Sequence, residues 1–155
     1  MRLLGAPRLA LTAVLVGLIG MVLSACSSDT EDIEEASGQL RVDVISVAES
    51  MADATEVGEV VHLSTCRNDG SGPIPPTTKV DLSLREGATA DEARAAAEAA
   101  LTGRGYETEG GSGNVLLVAR RGLDDKGGGE IRLYESASSN SDLFLGTALT
   151  PTVTC

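Results

Sequence analysis

The sequence predicts an α+β domain: an antiparallel β-sheet of about five to six strands with two helices packed on one face. Residues 79–85 (KVDLSLR) alternate polar and apolar side chains, the period of a strand that is buried on one face. Residues 89–92 (TADE) form a capping box that begins a helix ending near Thr102. Glycine-rich turns then separate further strand-like segments, which indicates a meander covered by helices on one side.

The first predicted helix covers about residues 39–52. Its apolar side chains recur at intervals of three and four, which is helical spacing; they are Ile33, Ala36, Leu40, Val44, Val47 and Met51. Residues 40–44 also alternate, so a strand is the alternative there. Residues 26–38 contain five acids and are expected to be a flexible, solvated spacer, although the helical spacing extends into them.

Residues 57–65 are rich in β-branched residues and predict the first strand, followed by a Gly- and Pro-rich loop at 67–77. The second helix is expected to pack through its alanines, with Ala93, Ala96, Ala97, Ala100 and Leu101 facing inward. The other face of the sheet would expose Lys79, Asp81, Arg120 and Arg132. The later strands are predicted at 106–109, 114–121, 130–135 and 142–149.

The chain begins like a secreted protein. Arg2 and Arg8 form a basic start, residues 9–23 are almost continuously apolar, and small residues follow. The segment Leu-Ser-Ala-Cys at residues 23–26 resembles a bacterial lipobox. The resemblance implies cleavage between Ala25 and Cys26, a diacylglyceryl group on Cys26, and a lipid anchor on the extracytoplasmic face of the cell membrane. An uncleaved membrane-spanning helix is the alternative, but the apolar run is shorter than the roughly 20 residues that a span needs.

Charge excludes some classes of partner. A leader of 25 residues holds two of the twelve basic residues and none of the twenty-three acids, so the mature chain carries ten basic and twenty-three acidic residues, a net charge of −13. Nucleic acids are bound largely through cationic side chains, so we expect no nucleic-acid partner. The remaining residues 39–155 are of a length typical of one domain.

Two cysteines, Cys66 and Cys155, remain once Cys26 is acylated. An even pair outside the cytoplasm predicts a disulfide. The alternative is metal ligation, but a zinc site needs three or four ligands and His62 is the single histidine. We therefore expect no metal.

No catalytic or cofactor-binding motif is apparent. His62 is a candidate base, but its position in a predicted strand favours a residue on the solvent face. The glycine clusters at 110–113 and 127–129 lack the lysine and Ser/Thr of a phosphate-binding loop. Asp124 and Asp125 lack the spacing of a calcium loop. We expect no catalytic residues, no cofactor and no enzyme activity.

Beyond the lipobox, the chain resembles small actinomycete lipoproteins of unknown function. The matching features are Cys66 at the end of a strand, the helix at 89–103, the Gly105-Tyr106 pair and the ending at 150–155. This resemblance implies the fold and the location, and no activity.

These observations favour a membrane-tethered module that binds another protein of the cell envelope. The alternative is a module that binds a small molecule or a lipid between helix and sheet. An enzyme with His62 or the pair Asp124 and Asp125 in its site is the least favoured hypothesis.

Overall fold

A computed structural model of the chain describes residues 28–63, 67–68, 73–74, 76–122, 128–137 and 142–150. The described residues form two helices, α1 (Ser28–Ser50) and α2 (Ala90–Thr102). The strands are β1 (Thr55–Leu63), β2 (Arg67–Asn68), β3 (Pro73–Ile74), β4 (Thr77–Leu84), β5 (Glu107–Gly110), β6 (Val115–Gly122), β7 (Gly128–Glu135) and β8 (Asp142–Thr150).

Six of the strands form one antiparallel sheet in the order β1-β4-β8-β7-β6-β5. The connection through α2 carries the chain from β4 to the far edge at β5, and the meander β5 to β8 returns until β8 pairs with β4. The predicted α+β fold and its strand number are confirmed. The two-residue strands β2 and β3 pair with each other within the segment expected to be a loop.

The hydrophobic core lies between the two helices and one face of the sheet. Every second side chain of the central strands points toward the helices, as the two-residue period of a strand requires. Full burial of such a side chain contributes about 1.5–3 kcal/mol. The buried residues include Leu40, Val44, Val47 and Met51 of α1, Ala93, Ala97 and Leu101 of α2, and Val80, Leu82, Leu117, Ile131, Leu133, Leu143 and Leu145 of the sheet.

Helix α1 begins at Ser28, earlier than the predicted start at residue 39. It therefore includes residues 28–38, which we expected to form a flexible spacer. Acidic residues near a helix N-terminus interact favourably with the helix dipole, and this segment contains five of them. The strand alternative for residues 40–44 is wrong, because Leu40 and Val44 are buried whereas Val42 between them is 62 % exposed.

Helix α2 has the predicted capping box. The Thr89 hydroxyl accepts a hydrogen bond from the Glu92 amide at 3.2 Å, and the Thr89 amide donates to the Glu92 carboxylate at 2.9 Å. These bonds satisfy amides that have no partner inside the helix. The helix ends at Thr102, and Gly105 follows with a φ of +82°, a conformation that favours glycine. The small alanine side chains on its inner face allow α2 to pack closely on the sheet.

Several predictions concern residues outside the described part of the chain. They are the leader, the cleavage and acylation site at Ala25 and Cys26, and the pair Cys66 and Cys155. None of the helices in the described residues is both long enough and apolar enough to span a membrane.

Candidate functional site

The face of the sheet that points away from the helices, which we call the open face, is the candidate site. It is assembled from alternate residues of five neighbouring strands, because side chains two apart in a strand share a face. The predicted exposure of Lys79, Asp81, Arg120 and Arg132 on this face is confirmed. The open face includes Lys79, Asp81, Glu109, Val118, Arg120, Glu130, Arg132, Tyr134 and Phe144.

An aromatic pair lies in the middle of the open face. Tyr134 of β7 and Phe144 of β8 are direct cross-strand neighbours. Their rings stack with centroids 4.5 Å apart and planes inclined by 14°. Each ring is only partly buried. The chain has three aromatic residues in total, so two of the three are placed outside the core, on the side that the helices leave uncovered.

A lysine completes one side of this aromatic pair. The Lys79 ammonium lies 4.9 Å from the centroid of the Phe144 ring, within the range of a cation–π contact. The same nitrogen lies 2.7 Å from the Asp81 carboxylate, and both side chains are well exposed. An exposed ion pair of this kind contributes about 0–1 kcal/mol. Its charges therefore remain free to exchange their partner for one on another molecule.

Two arginines and a buried carboxylate form the other side. Arg120 Nε donates to Glu130 Oε2 at 2.8 Å, and Arg132 Nε lies 2.5 Å from Glu130 Oε1. Arg120 also bonds Glu109. Hydrogen bonds to Glu109 first, and then to Glu130, raise the pKa of Arg120. The pKa of Arg132 is raised chiefly by its hydrogen bond to Glu130. The face thus presents fixed cations beside an aromatic surface.

A cleft of about 270 Å³ adjoins this cluster at the β5–β6 turn and is lined in part by Glu109, Ser112 and Arg132. The turn itself depends on glycine. A Cβ at Gly111 would lie 2.2 Å from the Val115 carbonyl oxygen, and Gly113 has a φ of +65°. At Gly111 the close approach of the Val115 backbone leaves no room for a side chain, whereas at Gly113 it is the positive φ that favours glycine.

A second polar cluster lies on the opposite side of the sheet and is mostly buried. Asp43 of α1 accepts hydrogen bonds from Tyr106 and Arg121 at 2.8 and 2.9 Å. Arg121 also donates to the Arg104 carbonyl, while Arg104 bonds Ser46. Burial and the bond to Asp43 raise the pKa of the Tyr106 phenol. These contacts join α1 to the sheet, and both carboxylate oxygens of Asp43 accept a hydrogen bond within the described residues.

The sequence analysis favoured a position on the solvent face for His62, and the structure shows that this is wrong. It lies opposite Thr78 in the β1–β4 ladder, on the helix side of the sheet, where it is partly buried. Its Nδ1 lies 2.6 Å from the Thr78 hydroxyl oxygen. Partial burial, followed by the positive charge of Arg41, lowers the pKa of His62. The described residues around it supply no serine or carboxylate in hydrogen-bond contact with the ring.

The predicted lipidation site and disulfide cysteines cannot be placed, since Cys26, Cys66 and Cys155 lie outside the described residues, as do Asp124 and Asp125. Among the residues that the structure does describe, no three His, Cys, Asp or Glu side chains are placed to hold a metal ion.

The aromatic pair was missed by the sequence analysis, which placed only Lys79, Asp81, Arg120 and Arg132 on this face. The alternation of residues along β7 could have located Tyr134. Glu130, Arg132 and Tyr134 are spaced two residues apart, so Tyr134 shares the face of the two charged residues. Its partner Phe144 depends on the register of β7 against β8, which spacing does not fix.

No protein-family model, curated protein or solved structure matches this chain.

Proposed function

We propose that this protein is a lipoprotein tethered to the extracytoplasmic face of the cell membrane through Cys26, and that its domain binds another envelope protein through the open face. In this proposal the protein is not an enzyme, and its function is to bind another protein of the cell envelope. The observation that carries the proposal is the stacked pair of Tyr134 and Phe144 beside Lys79 and the two arginines.

The position of the aromatic residues supports a binding role. Aromatic and arginine side chains are enriched in the centre of protein interfaces, where they contribute most of the binding energy. The core is complete without these two rings, because the residues buried under the helices from the sheet are mainly aliphatic. An aromatic pair in contact with solvent is therefore explained better by a partner than by packing.

The anchor is supported by the sequence alone. A basic start, an apolar run and the Leu-Ser-Ala-Cys segment at residues 23–26 form the pattern of a lipoprotein leader. Two acyl chains hold a protein on a membrane stably, whereas one chain binds only marginally.

Cys26→Ala is expected to leave unprocessed precursor without the lipid, measured by mass spectrometry of the membrane fraction. Processing and lipidation of that variant at the wild-type level would refute the anchor.

Site-specific photo-crosslinking tests the open face. A photoreactive amino acid replaces Lys79 at the aromatic pair, and a matched control replaces Val42, which is 62 % exposed on the outer side of α1. We expect one recurrent protein crosslinked from position 79 and absent from position 42. The same yield from both positions would contradict the proposal.

A second variant separates binding from folding. Phe144→Thr replaces one strand-favouring residue by another and removes the ring that stacks on Tyr134. We expect the crosslinked partner to be lost while thermal unfolding changes little, because both rings are partly exposed. A small molecule or lipid that co-purifies in native mass spectrometry, with no protein crosslinked, would favour the ligand-binding alternative.

A further inference from the structure

The two outer strands of the six-stranded sheet are protected to different degrees. Strand β5 has four residues, and its side chains include Glu107 and Glu109. Strand β1 has nine residues and carries large exposed apolar side chains. Val57, Val60 and Val61 are 45, 41 and 43 % exposed. A long apolar edge strand offers unpaired backbone groups to another strand, and natural proteins seldom leave one unguarded.

The exposed valines lie on both sides of the β1 edge. Val60 is opposite the buried Val80, on the helix side, and Val61 is opposite Lys79, on the side of the open face. An added strand would therefore find apolar contacts above and below the plane of its backbone hydrogen bonds. Such two-sided contact is what allows a peptide to be held by strand addition, with main-chain bonds for affinity and side chains for specificity.

A bulge restricts where a strand can be added. The β1–β4 register shifts between Val57 and Val60, and Gly58 lies within the shift. A Cβ there would be 3.3 Å from the Asp81 carbonyl oxygen, so the bulge suits a glycine. Bulges twist an edge and prevent continuous pairing. Residues 60–63 keep a continuous register with β4 and are the part suited to an added strand.

Charge selects the kind of strand. Glu56 and Glu59 flank the exposed valines, and Glu59 makes no ion pair among the described residues. Glu56 pairs with Arg85 at 3.3 Å, but both side chains are about half exposed or more. A second copy of the mature chain, with its ten basic and twenty-three acidic residues and net charge of −13, would bring like charges together along the edge. A basic residue of a partner is attracted at the end of the edge that carries Glu56 and Glu59, whereas the Arg41 charge that acts on His62 opposes it at the other end.

We infer that β1 is a docking strand that adds an extended segment of a partner protein, in which lysine or arginine residues accompany β-branched apolar residues. This goes beyond the proposed function, because a strand would dock at this edge whether or not the open face binds a partner.

The probe is a synthetic peptide of alternating valine and lysine, matched in length to β1, added to the purified full chain in detergent. Binding is followed by fluorescence anisotropy. Hydrogen exchange follows those amides of residues 60–63 that point away from β4, which belong to alternate residues of the strand. We expect binding with protection at these amides. The matched peptide with glutamate in place of lysine should bind with an affinity lower by about tenfold or more, because its glutamates meet Glu59 with like charge. Absence of binding, or equal affinity of the two peptides, would overturn the inference.

Variants of the edge complete the test. The double variant Val60→Lys and Val61→Lys places charges of the kind that natural edges use for protection, and should weaken peptide binding about tenfold or more. Val42→Lys is the matched control and should bind as the wild type does, as should Phe144→Thr, whose change lies on the open face. Thermal unfolding of each variant verifies the fold.

Two further results would contradict the inference even if the peptide binds to the protein. Undiminished binding by the edge variant would place the peptide elsewhere. A dimer in light scattering, with the outward-pointing amides of residues 60–63 protected before peptide is added and a monomer produced by Val61→Lys, would show that the edge receives a second copy of this chain.

Discussion

The phenol of Tyr106 donates a 2.8 Å hydrogen bond to Oδ2 of Asp43. Arg121 donates to the same oxygen from β6, and Gln39 donates to the other carboxylate oxygen from one turn earlier in α1. The Arg121 guanidinium also lies 4.7 Å from the centroid of the Tyr106 ring. One buried carboxylate therefore connects α1, the segment after α2 and the sheet, and its position fixes how the helix meets the strands.

Loss of either partner in this cluster should destabilise the fold. Tyr106→Phe removes one hydrogen bond to a charged group and should lower the free energy of unfolding by about 1–3 kcal/mol. Asp43→Ala should cost about 3 kcal/mol or more, since Arg121 is left without its carboxylate. Urea unfolding measures both changes. Glu49→Ala, on the exposed side of α1, is the control and should stay within about 0.5 kcal/mol.

The same cluster gives a coupling test. Tyr106→Phe in the Asp43→Ala background should cost much less than it does alone, because the hydrogen bond that it removes is already absent. Strict additivity of the two changes would show that the contact contributes little to stability.

Arg120 contacts two carboxylates of different burial, so the contribution of each to stability can be compared on the same cation. Glu130 is 4 % exposed and Glu109 is 58 % exposed, and both bond Arg120. Glu130→Gln should lower the free energy of unfolding by about 2 kcal/mol, since two arginines lose their shared carboxylate. Glu109→Gln should cost about 0–1 kcal/mol, as exposed ion pairs do. Equal costs in urea unfolding would mean that burial does not decide the strength of this network.

The sequence was most informative where the signal is local. The alternation of residues 79–85 and the Thr89–Glu92 capping box each depend on neighbours within four positions, and both are found in the structure. The helical spacing of Leu40, Val44 and Val47 likewise identified the inner side of α1. The start of that helix was missed because a run of acids suits either a solvated coil or the first turns of a helix.

The candidate site was predictable only in part. The charged members of the open face follow from strand parity alone, whereas the contact of Tyr134 with Phe144 requires the register of two strands. Asp43 was overlooked although it lies three residues after Leu40 and one before Val44, on the buried side of the helix. Its partners Tyr106 and Arg121 are distant in sequence, so no local pattern indicates that a buried carboxylate is satisfied there.

His62 should make stability depend on pH in the weakly acidic range. Its pKa is lowered in the folded chain, chiefly by burial and then by Arg41. The unfolded chain, with a histidine pKa of about 6.5, therefore binds more protons as the pH falls below that value, and acid favours unfolding. Above the unfolded pKa the histidine is neutral in both states and contributes no pH dependence.

The measurement is the urea midpoint of the wild type and of His62→Gln at about pH 7.5 and about pH 5.5, on either side of the unfolded pKa. Carboxylates titrate in both proteins and cancel in the comparison. We expect the wild type to lose more stability than the variant on acidification. A larger loss in the variant would mean that the histidine gains a proton more readily in the folded state, contrary to the lowered pKa.

The ends of two strands bear on the predicted disulfide between Cys66 and Cys155. Both β1 and β8 run antiparallel to β4, which lies between them. Leu63 ends β1 opposite Thr77, and β8 continues past Gly146, the partner of Lys79, to Thr150 at the same end of the sheet. The chain thus leaves both strands on one side, about 10 Å apart across two strand spacings.

The cysteines are close enough along the chain to meet. Cys66 follows Leu63 by three residues and Cys155 follows Thr150 by five, and an extended chain reaches about 3.3–3.6 Å per residue. Intact mass before and after alkylation, with and without reduction, should show no free thiol on Cys66 or Cys155 in the native chain. The disulfide would close a loop of about 90 residues. Because such a loop constrains the unfolded chain, reduction should lower the free energy of unfolding by up to about 4–5 kcal/mol. Two alkylated thiols in the unreduced protein would refute the pairing, and unchanged stability after reduction would mean that the sheet holds the end of β8 without it.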